Sequence, residues 1–350
     1  MAQRADGESF LIVRRFAERP REGKPGFLTS VLPDYHLLRP NAVAIPLRLT
    51  TAPAQLPENS NGQATLYGSL GDSPSAANLS KAAREYLKTI SPENPDDNPG
   101  LSRAVWLHAL AIIYSPQYLS ENADGLKSDL PRLPLPTSIG QLQQSAHLGA
   151  TLGKLLDVEK TTPGVTGGKL RKELSILGRI TGPAGLSLAI TAGWGHFQKE
   201  KDLVMPGSGA TKEREFTDTE KLAIAEGAAE LGMSLDDVLT IWGGSAVDVY
   251  LNDKSHWATV PLAVWENTIG GYLVLKKWIS YRESEVLGRD ITKDEAREFT
   301  HMVRRIGALL LMEPALDANY LAVKASTYGW LKADAEEPHE VPLEVEGESE

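Results

Sequence analysis

Cysteine is absent from the 350-residue sequence. Its absence excludes disulfide bonds, zinc sites built from thiolates and cysteine nucleophiles. A chain without cysteine suits a reducing compartment, and we expect a cytoplasmic protein. Long apolar runs are also lacking, since residues 104–114 and 306–312 are far too short to cross a bilayer. The first 16 residues carry five charges around a short apolar run, unlike a signal peptide. We therefore expect no membrane partner.

The common catalytic motifs are missing as well. The Gly-rich stretch 164–170 has the wrong spacing for a phosphate-binding loop and no hydroxyl residue after its lysine. There is no His-Glu-x-x-His motif and no Gly-x-Ser-x-Gly elbow, and the seven histidines are scattered. The Pro-Pro loop with which adenine methyltransferases hold a flipped base is also absent. We therefore expect no catalytic residue, no metal and no cofactor.

Acidic residues outnumber basic ones, and the net charge of −10 argues against a nucleic-acid partner. The distribution of the acids weakens this argument. Residues 334–350 hold eight acids and no lysine or arginine, which is typical of a disordered, solvated tail. Without those eight acids, 36 basic residues face 38 acidic ones, so the rest of the chain has a net charge of −2. A nearly neutral body can carry a basic face.

The pattern of short strands and helices predicts a mixed α/β (α+β) fold. Strand-like stretches bounded by turn residues occur at residues 9–16, 27–32, 42–49, 179–181, 186–191 and 243–250, with a tight bend at 193–196. Helical periodicity covers residues 78–87, 101–114 and 141–156. Three capping boxes mark further helix starts at Thr217-x-x-Glu220, Ser234-x-x-Asp237 and Thr292-x-x-Glu295.

We divide the chain into three segments. Residues 1–156 combine N-terminal strands with helices. Residues 157–332 combine a β-rich part with a helical region rich in Trp and Lys, and the two segments are expected to form one composite unit. Residues 333–350 are predicted to be a disordered acidic tail.

The most informative stretch runs from Trp257 to Arg289. Three of the seven tryptophans lie within 22 residues here, together with a glycine pair at Gly270-Gly271 and a lysine pair at Lys276-Lys277. Large aromatics bury much surface, so a core helix preceded by a turn explains the pattern. Cations that alternate with amphipathic rings also fit a helix facing nucleic acid. A helix over residues 272–282 can bury tryptophan and expose lysine, so both interpretations stay open.

The helix that begins at Thr292 is predicted to have an apolar stripe and a basic outer side. The stripe consists of Ala296, Phe299, Val303, Ile306 and Leu310. The basic side consists of Arg297, His301, Arg304 and Arg305, for which simple solvation is the alternative explanation. Pro314 is expected to end the helix. Elsewhere, His108, Trp194 and Trp242 are expected to be core side chains.

Ten features together resemble one known family. They are Tyr114-Ser-Pro-x-Tyr118, residues 129–136 (Asp-Leu-Pro-Arg-Leu-Pro-Leu-Pro), the helix that runs to Leu156, residues 248–253, Trp257-x-x-Val-Pro261, Trp265, residues 270–283 (Gly-Gly-Tyr to Tyr-Arg-Glu), Leu287-Gly-Arg289, Arg304-Arg305 and residues 315–320. This set resembles the C-terminal specificity (target-recognition) region of Type ISP restriction–modification enzymes and related N6-adenine DNA methyltransferases. The resemblance covers residues 25–330.

The resemblance implies a double-stranded DNA target-recognition module that works with a methyltransferase or restriction subunit in phage defence. In that family the chain normally continues N-terminally into an N6-adenine methyltransferase, whose motifs are absent here, so its activity is not carried over. Whether the chain is a separate subunit or a fragment stays open. The residues expected to contact DNA phosphates or bases are Lys276, Lys277, Arg282 and Arg289, and in second rank Tyr35, His36 and Arg39.

Two alternatives of other classes remain. The near-neutral body and the acidic tail fit a protein-interaction module of such a complex that no longer reads DNA. An independent enzyme would have to use an unrecognised carboxylate pair, such as Asp236/Asp237 or Glu283/Glu285.

Overall fold

The computed structural model describes residues 9–17, 22–31, 38, 42–50, 75–184 and 186–329. The strands are β1 (Phe10–Arg14), β2 (Gly26–Thr29), β3 (Ala42–Pro46), β4 (Arg48–Thr50), β5 (Ser75–Ala77), β6 (Arg179–Thr181), β7 (Gly195–Gln198), β8 (Leu203–Pro206), β9 (Thr211–Arg214), β10 (Ala246–Tyr250), β11 (His256–Pro261), β12 (Thr268–Ile269) and β13 (Tyr272–Leu273). The helices are α1 (Lys81–Ile90), α2 (Pro99–Ile113), α3 (Pro116–Glu121), α4 (Gly125–Ser128), α5 (Ile139–Leu156), α6 (Lys172–Ser175), α7 (Asp218–Glu230), α8 (Leu235–Ile241), α9 (Leu262–Trp265), α10 (Val274–Ser280), α11 (Ser284–Leu287), α12 (Lys293–Leu310) and α13 (Glu313–Ala325).

Small antiparallel sheets packed with helices make up the fold, which confirms the mixed α/β prediction. The N-terminal sheet has the order β2-β1-β3, and the larger sheet has the order β6-β11-β10-β9. All five residues of β1 are buried, because this central strand is covered on both faces. The predicted division into segments at residue 156 stays a prediction, and the predicted tail lies outside the described residues.

The N-terminal core is the apolar cluster around α2 and α5, with Leu110, Ile112 and Leu142 as fully buried members. The two helices cross so closely that a Cβ on Gly149 would lie 1.9 Å from the Leu107 carbonyl oxygen. His108 is buried between them, as predicted. Its Nε2 donates to the Pro134 carbonyl at 2.8 Å, and its Nδ1 lies 2.7 Å from the Ser145 hydroxyl. Burial lowers the His108 pKa to about 4, so the imidazole stays neutral.

The C-terminal core lies between the larger sheet and α12. Trp194, Trp242 and Trp257 are fully buried in it, which confirms the core prediction for Trp194 and Trp242. Each indole finds a carbonyl: Trp194 Nε1 donates to Tyr250, Trp242 Nε1 to Gly307, and Trp257 Nε1 to Ala296. These bonds satisfy the polar edge of each ring, so that the large apolar faces can be buried without an unpaired donor.

The three capping boxes are present and begin α7, α8 and α12 as predicted. One other expectation is wrong and a second is right only in part. Residues 186–191 form no strand, because their backbone bonds go to single partners rather than to a ladder. The Ile190 carbonyl accepts from Ser284 N, and Thr191 N donates to the Leu251 carbonyl. The predicted bend at residues 193–196 is right for Gly193 and Trp194, whereas Gly195 and His196 begin β7.

The prediction that Pro314 ends the Thr292 helix is also wrong in detail. Helix α12 ends at Leu310, and Pro314 lies in the first turn of α13, where a missing N–H costs nothing. Together the two helices, Lys293–Ala325, contain one 18-residue window apolar enough for a membrane span by composition. Of that window, 44% is buried inside the protein. The apolar composition of the two helices is therefore explained by the residues that they contribute to the cores. Phe299 of α12 lies in the C-terminal core, and Leu316 of α13 lies in the N-terminal core.

The basic outer side predicted for α12 is wrong for Arg305, which is only 5% exposed. Its guanidinium donates to the carbonyls of Lys154 at 2.9 Å and Leu155 at 3.0 Å, and also to the Lys160 carbonyl. These acceptors lie at the C-terminal end of α5 and just after it. A cation there satisfies carbonyls that the helix leaves unpaired and complements its dipole. Arg305 therefore ties α12 to α5.

Candidate nucleic-acid interface

A tight hairpin positions the start of the predicted DNA-facing helix. Strands β12 and β13 pair through Gly270 and Gly271, whose φ angles of 56° and 77° are left-handed and favour glycine. The N-terminal segment supports this hairpin, because Gly271 N donates to the Glu22 carbonyl at 3.2 Å. The turn leaves Tyr272 49% exposed just before α10 begins.

Lys277 lies between two exposed tyrosines. Its Nζ is 4.8 Å from the Tyr272 ring centroid and 4.6 Å from the Tyr281 ring centroid, and it donates to the Tyr281 hydroxyl at 3.0 Å. We call these three residues the tyrosine–lysine cluster. Lys277 and Tyr281 meet because they are four residues apart on one helix face, whereas Tyr272 reaches Lys277 from the hairpin. The cluster exposes one cation and two amphipathic rings, and Lys277 itself forms no ion pair with a carboxylate of a described residue.

Lys276 is half-buried on the neighbouring face of α10. Within the described ranges, its ammonium has no hydrogen bond or ion pair with any side chain. The apolar side of the helix holds Leu275 and Ile279, both fully buried, and Trp278, whose ring packs 5.5 Å from Phe299. Helix α10 thus packs its apolar residues against the core and keeps both lysines accessible. This arrangement is compatible with both interpretations of the stretch, a core helix and a helix that faces nucleic acid.

Arg282 is engaged inside the protein. Its guanidinium carbon lies 3.9 Å from the Trp278 ring centroid, and its nitrogens lie 3.7 Å from Glu298 and 4.0 Å from Glu295. The side chain is 25% exposed. Stacking of arginine on an indole together with two carboxylates stabilises the α10–α12 contact. A DNA phosphate would have to compete with these partners.

Arg289 is likewise paired, although its side chain is 50% exposed. It holds Glu295 in a bidentate pair at 2.8 and 3.0 Å. Glu295 also closes the capping box with Thr292, whose backbone N–H donates to it at 2.8 Å. The hydrogen bonds from Arg289 and then Thr292 hold the pKa of Glu295 at about 2, below its ordinary value of 4.5.

Glu295 should make stability depend on pH. Because its pKa is depressed in the folded state, its contribution is complete above about pH 4.5 and is lost as the pH falls toward 2. We expect Glu295→Gln to lower the free energy of unfolding at pH 7 by on the order of 1–2 kcal/mol, allowing for solvent screening. In urea titrations between pH 7 and 3, this deficit should shrink as the pH falls.

The matched control for this change is Glu285→Gln, since the Glu285 side chain is exposed on α11 and forms no hydrogen bond or ion pair with a residue that the structure describes. It should lose little stability at any pH. A deficit of Glu295→Gln that stays constant from pH 7 to 3 would rule out the ionisation account and leave only lost packing.

A second hairpin beside α10 was missed by the sequence reasoning. Strands β7 and β8 pair from Gly195↔Pro206 to Gln198↔Leu203, and Gly195 packs against the Ser280 carbonyl at the end of α10. The hairpin leaves Phe197 43% and Leu203 47% exposed. The alternation Gly-His-Phe-Gln and Leu-Val-Met-Pro on either side of a charged turn is the signal that could have found it.

Tyr35, His36 and Arg39 lie outside the described residues, so their predicted role stays a prediction. The other four predicted residues all lie on or just after α10, with Lys276 and Lys277 accessible and Arg282 and Arg289 paired with glutamates. In the part of the chain that the structure describes, no group of three His, Asp or Glu side chains is placed to hold a metal ion.

Fold and site together define a mixed α/β domain with an accessible lysine and tyrosine surface and an interior rich in tryptophan. The sequence model of the family described as Type ISP C-terminal specificity domain matches residues 1–306. The chain belongs to this family, which confirms the resemblance found in the sequence. No curated protein matches the chain.

Three solved structures are similar over 89% of this chain. They are the ATP-dependent Type ISP restriction-modification enzyme LlaBIII bound to DNA (TM-score 0.48, 11% identity), a nuclease-deletion mutant of the Type ISP enzyme LlaGI in complex with a DNA substrate mimic (0.45, 10%) and a DrdV–DNA complex (0.47, 14%). This chain covers 16%, 21% and 24% of those chains, respectively.

Proposed function

We propose that this chain recognises a specific sequence in double-stranded DNA, as the specificity module of a restriction–modification or phage-defence adenine methyltransferase system. The observation that carries the proposal is the accessible face of α10 in a member of a specificity-domain family. The tyrosine–lysine cluster lies exposed there beside the half-buried Lys276, while Trp257 is buried and Trp278 packs against the core.

The chemistry of this face suits a DNA backbone and the edges of its grooves. Lysine ammonium groups bind phosphates as mobile point charges, and exposed tyrosines offer both a ring and a hydroxyl. Lys277 has only neutral tyrosine partners among the described residues, so binding a phosphate breaks no ion pair. We therefore rank Lys276 and Lys277 first as DNA contacts. Arg282 and Arg289 rank second, because each would have to exchange a glutamate for a phosphate.

Catalysis is proposed to come from a methyltransferase or restriction subunit, or from a covalently linked domain. The chain spans at most 24% of the length of the solved structures named above, and their whole-protein activities are not assigned to it. Tyr35, His36 and Arg39 are proposed as further DNA contacts on the connection that follows β2.

Binding to a labelled pool of random duplexes at about 50 and 200 mM salt tests the proposal directly. We expect binding at the lower salt and a steep loss at the higher salt, because lysine–phosphate contacts release counterions. No binding at either salt, alone or with the methyltransferase partner, would contradict the proposal.

One observation favours a second candidate, a module that binds protein rather than DNA. Phe197 and Leu203 expose apolar surface on the β7–β8 hairpin beside α10. If the chain bound its catalytic partner but no duplex at either salt, and Phe197→Ser weakened that complex, this candidate would replace the first.

A further inference from the structure

Three cations lie on one flank of α12. Lys293, Arg297 and Arg304 are separated by four and seven residues, which places them on one face of a helix. Arg179 on β6 extends this row, because β6 lies against α12, where Thr300 Oγ1 donates to the carbonyl of the preceding residue, Gly178, at 2.6 Å. We call these four residues the cation stripe. It lies on the flank away from α10, which meets α12 through Glu295, Glu298 and Phe299.

The cation stripe is poorly neutralised. The side chains of Lys293 and Arg179 are exposed and have no hydrogen bond or ion pair with any residue that the structure describes. Arg304 donates only to the Ser175 carbonyl at 3.3 Å, and its buried Nε has no partner. Arg297 pairs with Asp294 at 2.8 Å, but this pair is 61% and 86% exposed. Such an exposed ion pair contributes little to stability, so a phosphate can readily replace the carboxylate of Asp294 as the partner of Arg297.

The electrostatic surroundings agree with this geometry. Burial and then Arg179 lower the pKa of Arg304. Burial and then Arg304, Arg305 and Arg297 lower the pKa of His301, which lies between these arginines on α12. The charged neighbours that shift both groups are cations, so the local potential is positive.

The stripe also borders a cleft between α12 and β6. This cleft has a volume of about 370 Å³, and Lys293, Arg297 and Ile180 line it. The Thr300 hydroxyl, which also lines the cleft, donates a hydrogen bond to the Gly178 carbonyl at 2.6 Å. Charged groups at the rim are therefore the ones left to bind a ligand.

We infer that the cation stripe binds backbone phosphates of the duplex and forms a second DNA contact surface, on the side of α12 opposite α10. This inference rests on the proposed function. Eleven residues of helix separate Lys293 from Arg304, about 16 Å at 1.5 Å per residue. That length corresponds to about five base-pair steps along a duplex axis at about 3.4 Å per step. Phosphate contacts fix orientation without reading bases, so the stripe supplies affinity and not sequence preference.

The test is the triple variant Arg179→Gln/Lys293→Gln/Arg297→Gln, which spares the half-buried Arg304. We expect its affinity for duplex DNA to fall on the order of 100-fold at about 0.1 M salt. The salt slope, which is the slope of the logarithm of the affinity against the logarithm of the salt concentration, should shrink in magnitude by about 0.9 for each lost phosphate contact. The bases it prefers should not change. Asp294→Asn, which frees Arg297, should bind more tightly than wild type.

A matched control is Lys127→Gln/Arg132→Gln, since both cations form exposed pairs three residues apart like that of Arg297. It should bind like wild type. If the triple variant kept wild-type affinity and slope while wild type bound DNA, the inference would be overturned and the proposed function would stand. If wild type bound no duplex, both would fall. Should the triple variant not fold, Arg179→Gln and Lys293→Gln tested singly must each reduce the slope by about 0.9.

Discussion

Lys276→Ala/Lys277→Ala is expected to bind duplex DNA on the order of 50-fold more weakly than wild type at about 0.1 M salt, because two phosphate contacts are lost. Lys277 is exposed and Lys276 half-buried, and neither belongs to the C-terminal core. The melting temperature should therefore change by no more than about 2–4 °C, the shift that about 1 kcal/mol produces in a large domain. Fluorescence anisotropy and thermal melting measure the two effects.

The matched control for this pair is Lys81→Ala/Lys88→Ala, two exposed lysines on α1 beside the N-terminal core. It should retain wild-type affinity. The interpretation of α10 as a plain core helix would be right instead if the Lys276/Lys277 variant lost its thermal transition, and folded single variants bound DNA like wild type.

Arg305→Met is expected to lower the free energy of unfolding by about 3–5 kcal/mol. Methionine keeps most of the apolar stem but leaves the carbonyls of Lys154 and Leu155 without their buried donor. The contact between α12 and the end of α5 would be lost with it. Urea unfolding of the variant and wild type at pH 7 gives the difference.

Arg297→Met serves as the control, because Arg297 lies on the same helix but its side chain is 61% exposed. Its stability should stay within about 0.5 kcal/mol of wild type. If Arg305→Met melted like wild type but lost DNA affinity, Arg305 would belong to a basic outer surface after all, as its sequence position suggested.

Local signals in the sequence predicted most elements that depend on neighbouring residues. The box Thr292-x-x-Glu295 begins α12 because both of its hydrogen bonds are made within three residues. The apolar pattern around His108 placed this residue inside the N-terminal core for the same local reason. Burial of Trp194 and Trp242 followed from the large apolar area of the indole ring.

Contacts between distant parts of the chain could not be predicted in this way. Arg305 is charged and lies off the apolar stripe, and only the fold shows that it reaches carbonyls 150 residues away. Strand β9 pairs with β10 across the intervening helices α7 and α8, so no hairpin signal announces it. Arg282 and Glu298 pair because α10 packs on α12, which periodicity within either helix does not reveal.

The candidate site shows the same division. The alternation of lysine and aromatic residues predicted that α10 would expose its lysines, but not that Tyr272 reaches Lys277 from a separate hairpin. Of the cation stripe, only Arg297 and Arg304 were predicted on the basic side of α12, whereas the addition of Lys293 and of Arg179 on β6 required the fold. Arg289 also meets Glu295 at a helix start, which makes one carboxylate serve a cap and an ion pair.

The most direct test of the central claim is selection from a random duplex library, followed by sequencing of the bound fraction. Folded wild-type protein, alone and with the proposed methyltransferase partner, is incubated with the library at about 0.1 M salt. We expect enrichment of one defined sequence, and we expect the cation stripe variant to enrich the same sequence although its overall affinity falls. Recovery of an unenriched library by wild-type protein under both conditions would contradict the claim that this chain reads DNA sequence.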